Sequence, residues 1–322
     1  MVNVTASTRA RILDRLRAAA PGTVTGEALG EELGVSRVAV WKQLEALKEA
    51  GYGIEADRSG YRLVDGGDFL YPWEFPGREK RVVRYENTDS TMDRALELAL
   101  GQAPAGSVVV AERQTSGRGR RGRKWNSPRG GLFATLVAGN AGAARGPGPG
   151  LAPWQADRCS MAASAALCGT LRELTGEPFA LAWPNDIYLG GRKAAGILLE
   201  YLAEGEELRL ALIGLGVNVA NRAPGEGAFS LAELPAPRPG RRAILADFLD
   251  RYEAAGPASP GLEERWNFLS AQEGKPVLDP EGRRIGRALG VDGEGRLVVG
   301  LAGGRERAFR PGEATLSGKE QL

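Results

Sequence analysis

The sequence predicts an α+β multidomain chain: an N-terminal winged helix-turn-helix, a central mixed sheet with helices packed on it, and a small C-terminal β-barrel. Three observations predict it. Residues 1–65 carry three helical patterns followed by two short strands about a glycine turn; residues 80–265 mix strand and helix patterns; and residues 270–318 carry short apolar alternations between closely spaced glycine turns. Domains are accordingly expected at 1–66, 67–268 and 269–322.

The elements follow in order. Ile12, Leu13 and Leu16 give an amphipathic first helix. Thr25 caps a second, with Glu27 in its first turn, and Gly34 makes the turn. Ser36 caps a longer helix from Arg37 to Ala50, in which Val40, Leu44 and Leu47 recur at i, i+4 and i+7 as a buried stripe. Gly51 stops it, and Gly53–Asp57 and Tyr61–Val64 read as strands around Arg58-Ser59-Gly60. From Gly60 to Pro76, Gly66, Gly67 and the prolines predict a linker or extended connection.

In the central region Ser90 starts a helix, Thr91 to Leu100, and Val108–Ala111 and Leu132–Val137 are short apolar strands. Gly139–Pro153, rich in Gly, Ala and Pro, reads as a mobile loop. A long helix from about Trp154 to Leu174 places Leu167, Cys168, Leu171 and Leu174 on one face. Ile187–Leu189 and Ala194–Tyr201 flank Gly190-Gly191 as a hairpin, and Leu208–Val219 is a strand ending in glycines. Two helices follow, near Arg241–Ala255 and Pro260–Ser270. Beyond them Leu297, Val299 and Leu301 face one way. The turns Asp279–Gly282, Asp292–Gly295 and Gly303-Gly304 set the close strand spacing of a small antiparallel barrel.

Composition narrows the function classes. A formal charge of only +2 means that any phosphate or nucleic-acid site is a local cluster rather than a global field. The absence of histidine excludes the usual Cys/His zinc sites and a histidine general base, and no metal site is expected from protein ligands. The two cysteines, Cys159 and Cys168, read as small residues on a buried helix face. With no disulfide framework, no signal-like N-terminus and no apolar run long enough to span a membrane, a cytoplasmic protein without membrane partners is expected.

Three stretches carry chemistry. Gly117-Arg118-Gly119-Arg120-Arg121-Gly122-Arg123-Lys124-Trp125 combines glycines, which let backbone approach a ligand, with arginines, whose donor forks suit phosphate and carboxylate: a flexible anion clamp. It matches the G-x-G-x-x-G string, but the residues after it do not make the apolar helix that a dinucleotide fingerprint needs. A solvated basic loop is the plain alternative. Trp183-Pro184-Asn185-Asp186 is followed by Lys193, which the Gly190-Gly191 turn brings back toward Asp186; a structural ion pair is the plain alternative to an anion grip. Gly214-Leu215-Gly216-Val217-Asn218 ends an apolar strand and permits close approach of a flat ligand, or is only a tight turn.

Together, "TDSTMDRA", "ERQTSGRGRRGRKW", "WPNDIYLGGRKAAGILLE" and "IGLGVNVANR" resemble, in this order, the bifunctional biotin–protein ligases that are also biotin operon repressors. The resemblance covers nearly the whole chain. It implies a class II synthetase-like central domain and a two-step reaction. Biotin and ATP, with Mg²⁺ held mainly by the nucleotide phosphates, give biotinyl-5′-AMP; a lysine of a biotin carboxyl carrier protein then takes the biotinyl group. It further implies that Arg118, Gly119, Arg120 and Arg121 wrap over carboxylate and phosphate, and that Lys193 bridges them. Ser90, Thr91 and Gln114 would face the biotin ureido ring, with Met92 beside them. Asn185 would lie near the nucleotide, and Asp186 would orient the incoming lysine or accept its proton. Trp125 would cover the adenine or pack under the loop, and Gly214, Gly216 and Asn218 would lie among the residues that bind biotin or its adenylate. The loop's composition fits disorder without ligand. Two departures from the family pattern stand out: Met92 where an asparagine is frequent, and Ala182 where a lysine is common.

In the third helix the face opposite the apolar stripe shows Arg37, Val38, Trp41, Lys42 and Glu45, and Arg58 and Arg62 lie on or beside the wing. Arg37, Val38, Trp41 and Lys42, with the cap Ser36 and with Arg58, are candidates for contact with operator DNA, a protein-interaction module being the plain alternative. The resemblance implies that biotinyl-5′-AMP, as corepressor, favours a homodimer that binds a two-fold operator. Two other readings are a transcription factor on a silent ligase fold, against which Arg118, Arg120, Asp186 and Lys193 argue, and a lipoate or octanoate ligase.

Overall fold

The computed structural model describes residues 6–140, 156–205 and 207–317. The chain divides into two compact units, residues 1–83 and 84–322.

The first unit holds α1 (Thr8–Ala19), α2 (Gly26–Leu33), α3 (Arg37–Glu49) and the antiparallel hairpin β1 (Gly53–Asp57) and β2 (Gly60–Asp65). The caps are those the sequence predicts. Thr25 Oγ1 accepts from Ala28 N at 3.1 Å, Ser36 Oγ accepts from Ala39 N at 3.2 Å, and Gly34 closes α2 in the left-handed region at φ 67°. Ile12, Leu13, Leu16, Leu29, Val40, Leu44 and Leu47 form the core. The connection after β2 is not a bare linker. Leu70 and Phe75 are buried, and Phe69, Tyr71 and Trp73 pack against the winged-helix core. The buried Glu74 carboxylate accepts from the Tyr52 hydroxyl at 2.5 Å and from Arg17 at 2.7 Å. Paired glycines and prolines hide this docking; the aromatics between them create it.

In the second unit a seven-stranded sheet runs in the order β3-β4-β5-β9-β8-β7-β6, with β3 (Val82–Tyr85), β4 (Val108–Ala111), β5 (Leu132–Asn140), β6 (Ala180–Ala182), β7 (Asp186–Leu189), β8 (Arg192–Glu204) and β9 (Glu207–Val217). From β4 through β6 the neighbours are antiparallel. Beyond β3 and β4 the chain runs parallel, bridging Thr88 to Gln114, so the sheet is of the mixed, class II synthetase-like kind. The sequence pattern did not predict β3 or β6, and the strand expected to reach Val219 ends at Val217. Gly190 and Gly191, at φ 54° and 75°, make the two-residue turn between β7 and β8 that brings Lys193 back beside Tyr188.

Helix α4 (Thr91–Leu100) lies against β4, β5 and β9. The long α5 (Ala156–Thr175) buries Cys159, Leu167, Cys168 and Leu171 and packs on β8 and β9 as well as on α6 (Arg241–Ala254) and α7 (Leu262–Leu269). Trp266 of α7 donates to Ser164 of α5 at 3.0 Å. Most of the loop expected at Gly139–Pro153, and the first residues of the helix expected from Trp154, lie outside the described residues. The last elements, β10 (Pro276–Leu278), β11 (Arg284–Val291), β12 (Leu297–Gly300), β13 (Glu306–Phe309) and β14 (Thr315–Leu316), form an antiparallel sheet in the order β13-β12-β11-β10-β14 over Val277, Ala288, Leu297 and Val299.

Candidate active site

A cavity of about 560 Å³ opens on the face of the large sheet beneath the arginine-rich loop. Ser90, Thr91, Met92, Gln114, Arg118, Gly119, Arg120, Trp125, Asn185, Asp186, Lys193, Gly214 and Gly216, distant in sequence, all line it.

Its floor is the pair β8–β9. Gly196 lies opposite Gly216, and Leu198 opposite Gly214. Trp125 rests on the first pair: a methyl on Gly216 would stand 2.5 Å from its Cε2, and one on Gly196 would stand 3.3 Å from its Cζ3. Met92 caps the other end, its Sδ 2.9 Å from where a Gly214 methyl would be. Where an asparagine would offer an amide, this chain thus presents a buried thioether. Gly196 is not marked as a site residue by the sequence motifs; its only signal is its register in "KAAGIL" opposite the second glycine of "GLG".

One wall is the start of α4. Ser90 caps that helix by accepting from Met92 N at 3.2 Å. Gln114 Oε1 accepts from Thr91 N at 2.7 Å and from Thr91 Oγ1 at 3.0 Å, while its Nε2 donates to Ser127 at 2.9 Å. The parallel step from Thr88 to Gln114 makes this meeting possible.

The roof is a hairpin. Gly119 N donates to Arg123 O at 2.7 Å and Trp125 N to Gly117 O at 2.8 Å. Its tip turns at Arg121, in the left-handed region at φ 56°, and at Gly122. Trp125 anchors one strand on the glycine floor, which a count of glycines and charges does not register. Its Nε1 is buried without a hydrogen-bond partner among the described residues. Such a donor costs about 1–3 kcal/mol until a ligand acceptor reaches it.

The cations divide their work. Arg118 meets Asp93 at 2.8 Å and Glu200 at 3.5 Å. Burial opposes its charge, and those carboxylates outweigh burial, so its pKa stands above the ordinary guanidinium value. Arg120 donates to Asn185 Oδ1 at 3.3 Å, and burial pulls its pKa below the ordinary value against Asp186 and Asp157. Lys193 Nζ lies 2.6 Å from Asp186 Oδ1 and 5.2 Å from the centre of the Trp125 ring. Asn185 is fixed by donating to Ile197 O.

Two expected residues lie elsewhere. Arg121 lines a neighbouring cavity of about 440 Å³ and donates to Gly312 O at 3.1 Å, because its left-handed backbone points it toward the C-terminal sheet. Asn218 is buried, donating to Phe229 O at 3.1 Å and accepting from Asn221 at 3.0 Å; it bolts the chain after β9 in place. Arg120 lines the first cavity, this neighbour and a smaller third of about 160 Å³, where Asp157 sits.

In the first unit Arg37, Val38, Trp41 and Lys42 are exposed together on α3, Ser36 is spent as its cap, and Arg58 stands at the tip of the β1–β2 hairpin.

Fold and site define a two-part protein: a synthetase-like domain with a cation-roofed cavity, and a winged helix of the DNA-binding kind. Residues 85–218 match the biotin/lipoate A/B protein ligase family and residues 8–62 match an HTH domain. The chain is 31% identical to the bifunctional ligase/repressor BirA of Escherichia coli, over 85% of this chain and 87% of that protein. It is 29% identical to the protein of the same name from Bacillus subtilis, over 86% and 89% of the two chains. The structure of biotin protein ligase from Aquifex aeolicus in complex with biotin and ATP superposes with a TM-score of 0.59 at 26% identity, covering 74% of this chain and 98% of that one. The chain belongs to the biotin protein ligases that carry an N-terminal HTH domain, the bifunctional ligase/repressors.

Proposed function

We propose that this chain activates biotin with ATP and transfers it to a lysine of a biotin carboxyl carrier protein, and that its winged helix represses transcription at operator DNA. The observation that carries the ligase reading is Lys193, held 2.6 Å from Asp186 at one end of a glycine-floored cavity roofed by Arg118 and Arg120.

In the first step a biotin carboxylate oxygen bonds to the α-phosphorus of ATP and pyrophosphate leaves. Two anions must approach, so cations at the reacting atoms lower the barrier. Lys193 and Arg120 supply them. The ureido ring lies toward Ser90, Thr91 and Gln114, whose second amide N–H remains for a ligand acceptor. Asn185 orients Arg120 beside the nucleotide. Mg²⁺ would be held mainly by the nucleotide phosphates, since it usually keeps its waters and takes few protein ligands. In the second step the acceptor amine bonds to the acyl carbon and AMP leaves; Asp186 orients that amine or takes its proton. The Trp125 roof keeps water from the anhydride.

The finer organisation belongs to the same reading. Residues 1–66, 67–268 and 269–322 act as three domains, the last an SH3-like barrel. Biotinyl-5′-AMP acts as corepressor by favouring a homodimer on a two-fold operator, in the cytoplasm. Among the described residues no helix is long and apolar enough to cross a membrane.

Biotin-dependent ATP–pyrophosphate exchange tests the ligase reading. Exchange with biotin, none with lipoate, and a fall in Arg120→Ala support it. No exchange in folded protein with Mg²⁺ would leave a DNA-binding sensor on a silent ligase fold, and exchange with lipoate alone would make it a lipoate ligase.

A further inference from the structure

Helix α3 has two apolar faces, and only one has a partner. Val40, Leu44 and Leu47 are fully buried, whereas Val38 and Trp41, one turn apart on the other side, are 61% and 52% exposed. Single exposed apolar residues are ordinary. Here two large ones stand together on the exposed face of the second helix of a helix-turn-helix, with cations on either side. Lys42 has no ion-pair partner among the described residues. Among the described residues Arg37 pairs with Glu27 at 3.3 Å, with both side chains largely in water, a pair easily exchanged. The next carboxylate along the helix, Glu45, is drawn to Lys48 at 2.9 Å.

An apolar centre with a cationic rim fits a polyanion that carries apolar groups between its charges. In the major groove of duplex DNA that group is the thymine C5-methyl, and the phosphates lie at either side of it.

We propose that Val38 and Trp41 read thymine methyl groups, making each half-site thymine-dependent where these side chains face the bases. Arg37 and Lys42 hold the flanking phosphates, and Arg58 at the hairpin tip holds a further one. This rests on the DNA-binding reading and adds what the helix recognises.

The test uses the full chain with biotin and ATP. Duplexes are selected from a random pool, and every thymine of the winning site is then replaced by deoxyuridine, which removes the methyl and keeps the hydrogen-bonding edge. Wild type should lose about fourfold in affinity for each methyl it covers, from the burial of one methyl group. Val38→Ser and Trp41→Gln should each weaken binding to the thymine duplex and shed part of the uridine penalty; both sites are exposed, and unchanged melting confirms the fold. Lys42→Ala should weaken both duplexes equally and flatten the salt dependence. Equal wild-type affinity for thymine and uridine duplexes, or a penalty retained in the double variant, overturns the proposal while leaving DNA binding intact. Selection of no duplex at all overturns the DNA-binding reading as well.

Discussion

The Cα of Gly216 and the indole of Trp125 are in such close contact that a single methyl on the glycine would lie 2.5 Å from Cε2 and 2.7 Å from Nε1 of the ring. The roof of the cavity therefore rests on the absence of a side chain in its floor. Gly216→Ala must push Trp125 off the sheet, an overpacking that costs about 1–3 kcal/mol. The KM for biotin should rise about tenfold, as that cost implies. Adding Trp125→Ala removes the clash, so the double variant should be less impaired than the sum of the two single changes. Additive losses, measured by exchange at varied biotin, would mean that the glycine serves something other than the indole.

The Lys193–Asp186 pair separates the two half-reactions. Lys193 faces the reacting anions in the first, so Lys193→Ala should lower exchange about 10²–10³-fold, the usual cost of removing one charge-stabilising group. Asp186 meets the acceptor amine in the second, so Asp186→Asn should slow biotin transfer to the carrier domain more than it slows exchange. Both assays run on the same preparations decide this. Equal losses in the two would show that Asp186 acts only by holding Lys193.

Much of this arrangement was readable in the sequence because local rules and global fold agree. Ser36 and Ser90 are cap residues before periodic apolar runs, Gly34 is the left-handed stop, and Gly190-Gly191 is the two-residue turn. Each is a short-range signal. What escaped was set at long range. Strand β6, Ala180–Ala182, has three residues and no β-branched side chain, and it becomes a strand by pairing with β7 on one side and with Ser270 on the other. Phe69, Tyr71 and Trp73 look like a linker until the winged-helix core is there to receive them. Asn218 carries the same amide as Asn185, yet one is spent on Phe229 and Asn221 and the other faces the cavity. Nothing in the residue type separates them. Asp157 lies on a helix whose first turn sequence alone could not aim at Arg120.

The cysteines offer a check on the packing of α5. Cys159 and Cys168 are both buried, and burial pushes each thiol up to about 12. At pH 8 almost no thiolate exists, and the thiolate is the nucleophile. A thiol reagent should therefore label neither cysteine in the native protein and both in denaturant. Rapid native labelling of either would mean that the helix does not pack on the sheet as described.

Asp157 gives a stability prediction whose sign follows from its surroundings. Burial raises its carboxyl above the ordinary aspartate value, and Arg120 and Arg310 only partly oppose this. A group whose pKa is higher in the folded state contributes stability that is fully present below its unfolded pKa, about 3.9. That contribution is lost as pH rises through the raised folded value. Asparagine mimics the protonated acid at every pH. Asp157→Asn should therefore gain on wild type in urea midpoint as pH rises from the ordinary aspartate value through the raised one, then hold a constant lead. Because Asp157 sits with Arg120 in the smallest of the three cavities, the same variant also removes one of the two carboxylates that favour the Arg120 charge. A lead that is flat across this range, or that shrinks as pH rises, would show that the arginines rather than burial govern the carboxyl.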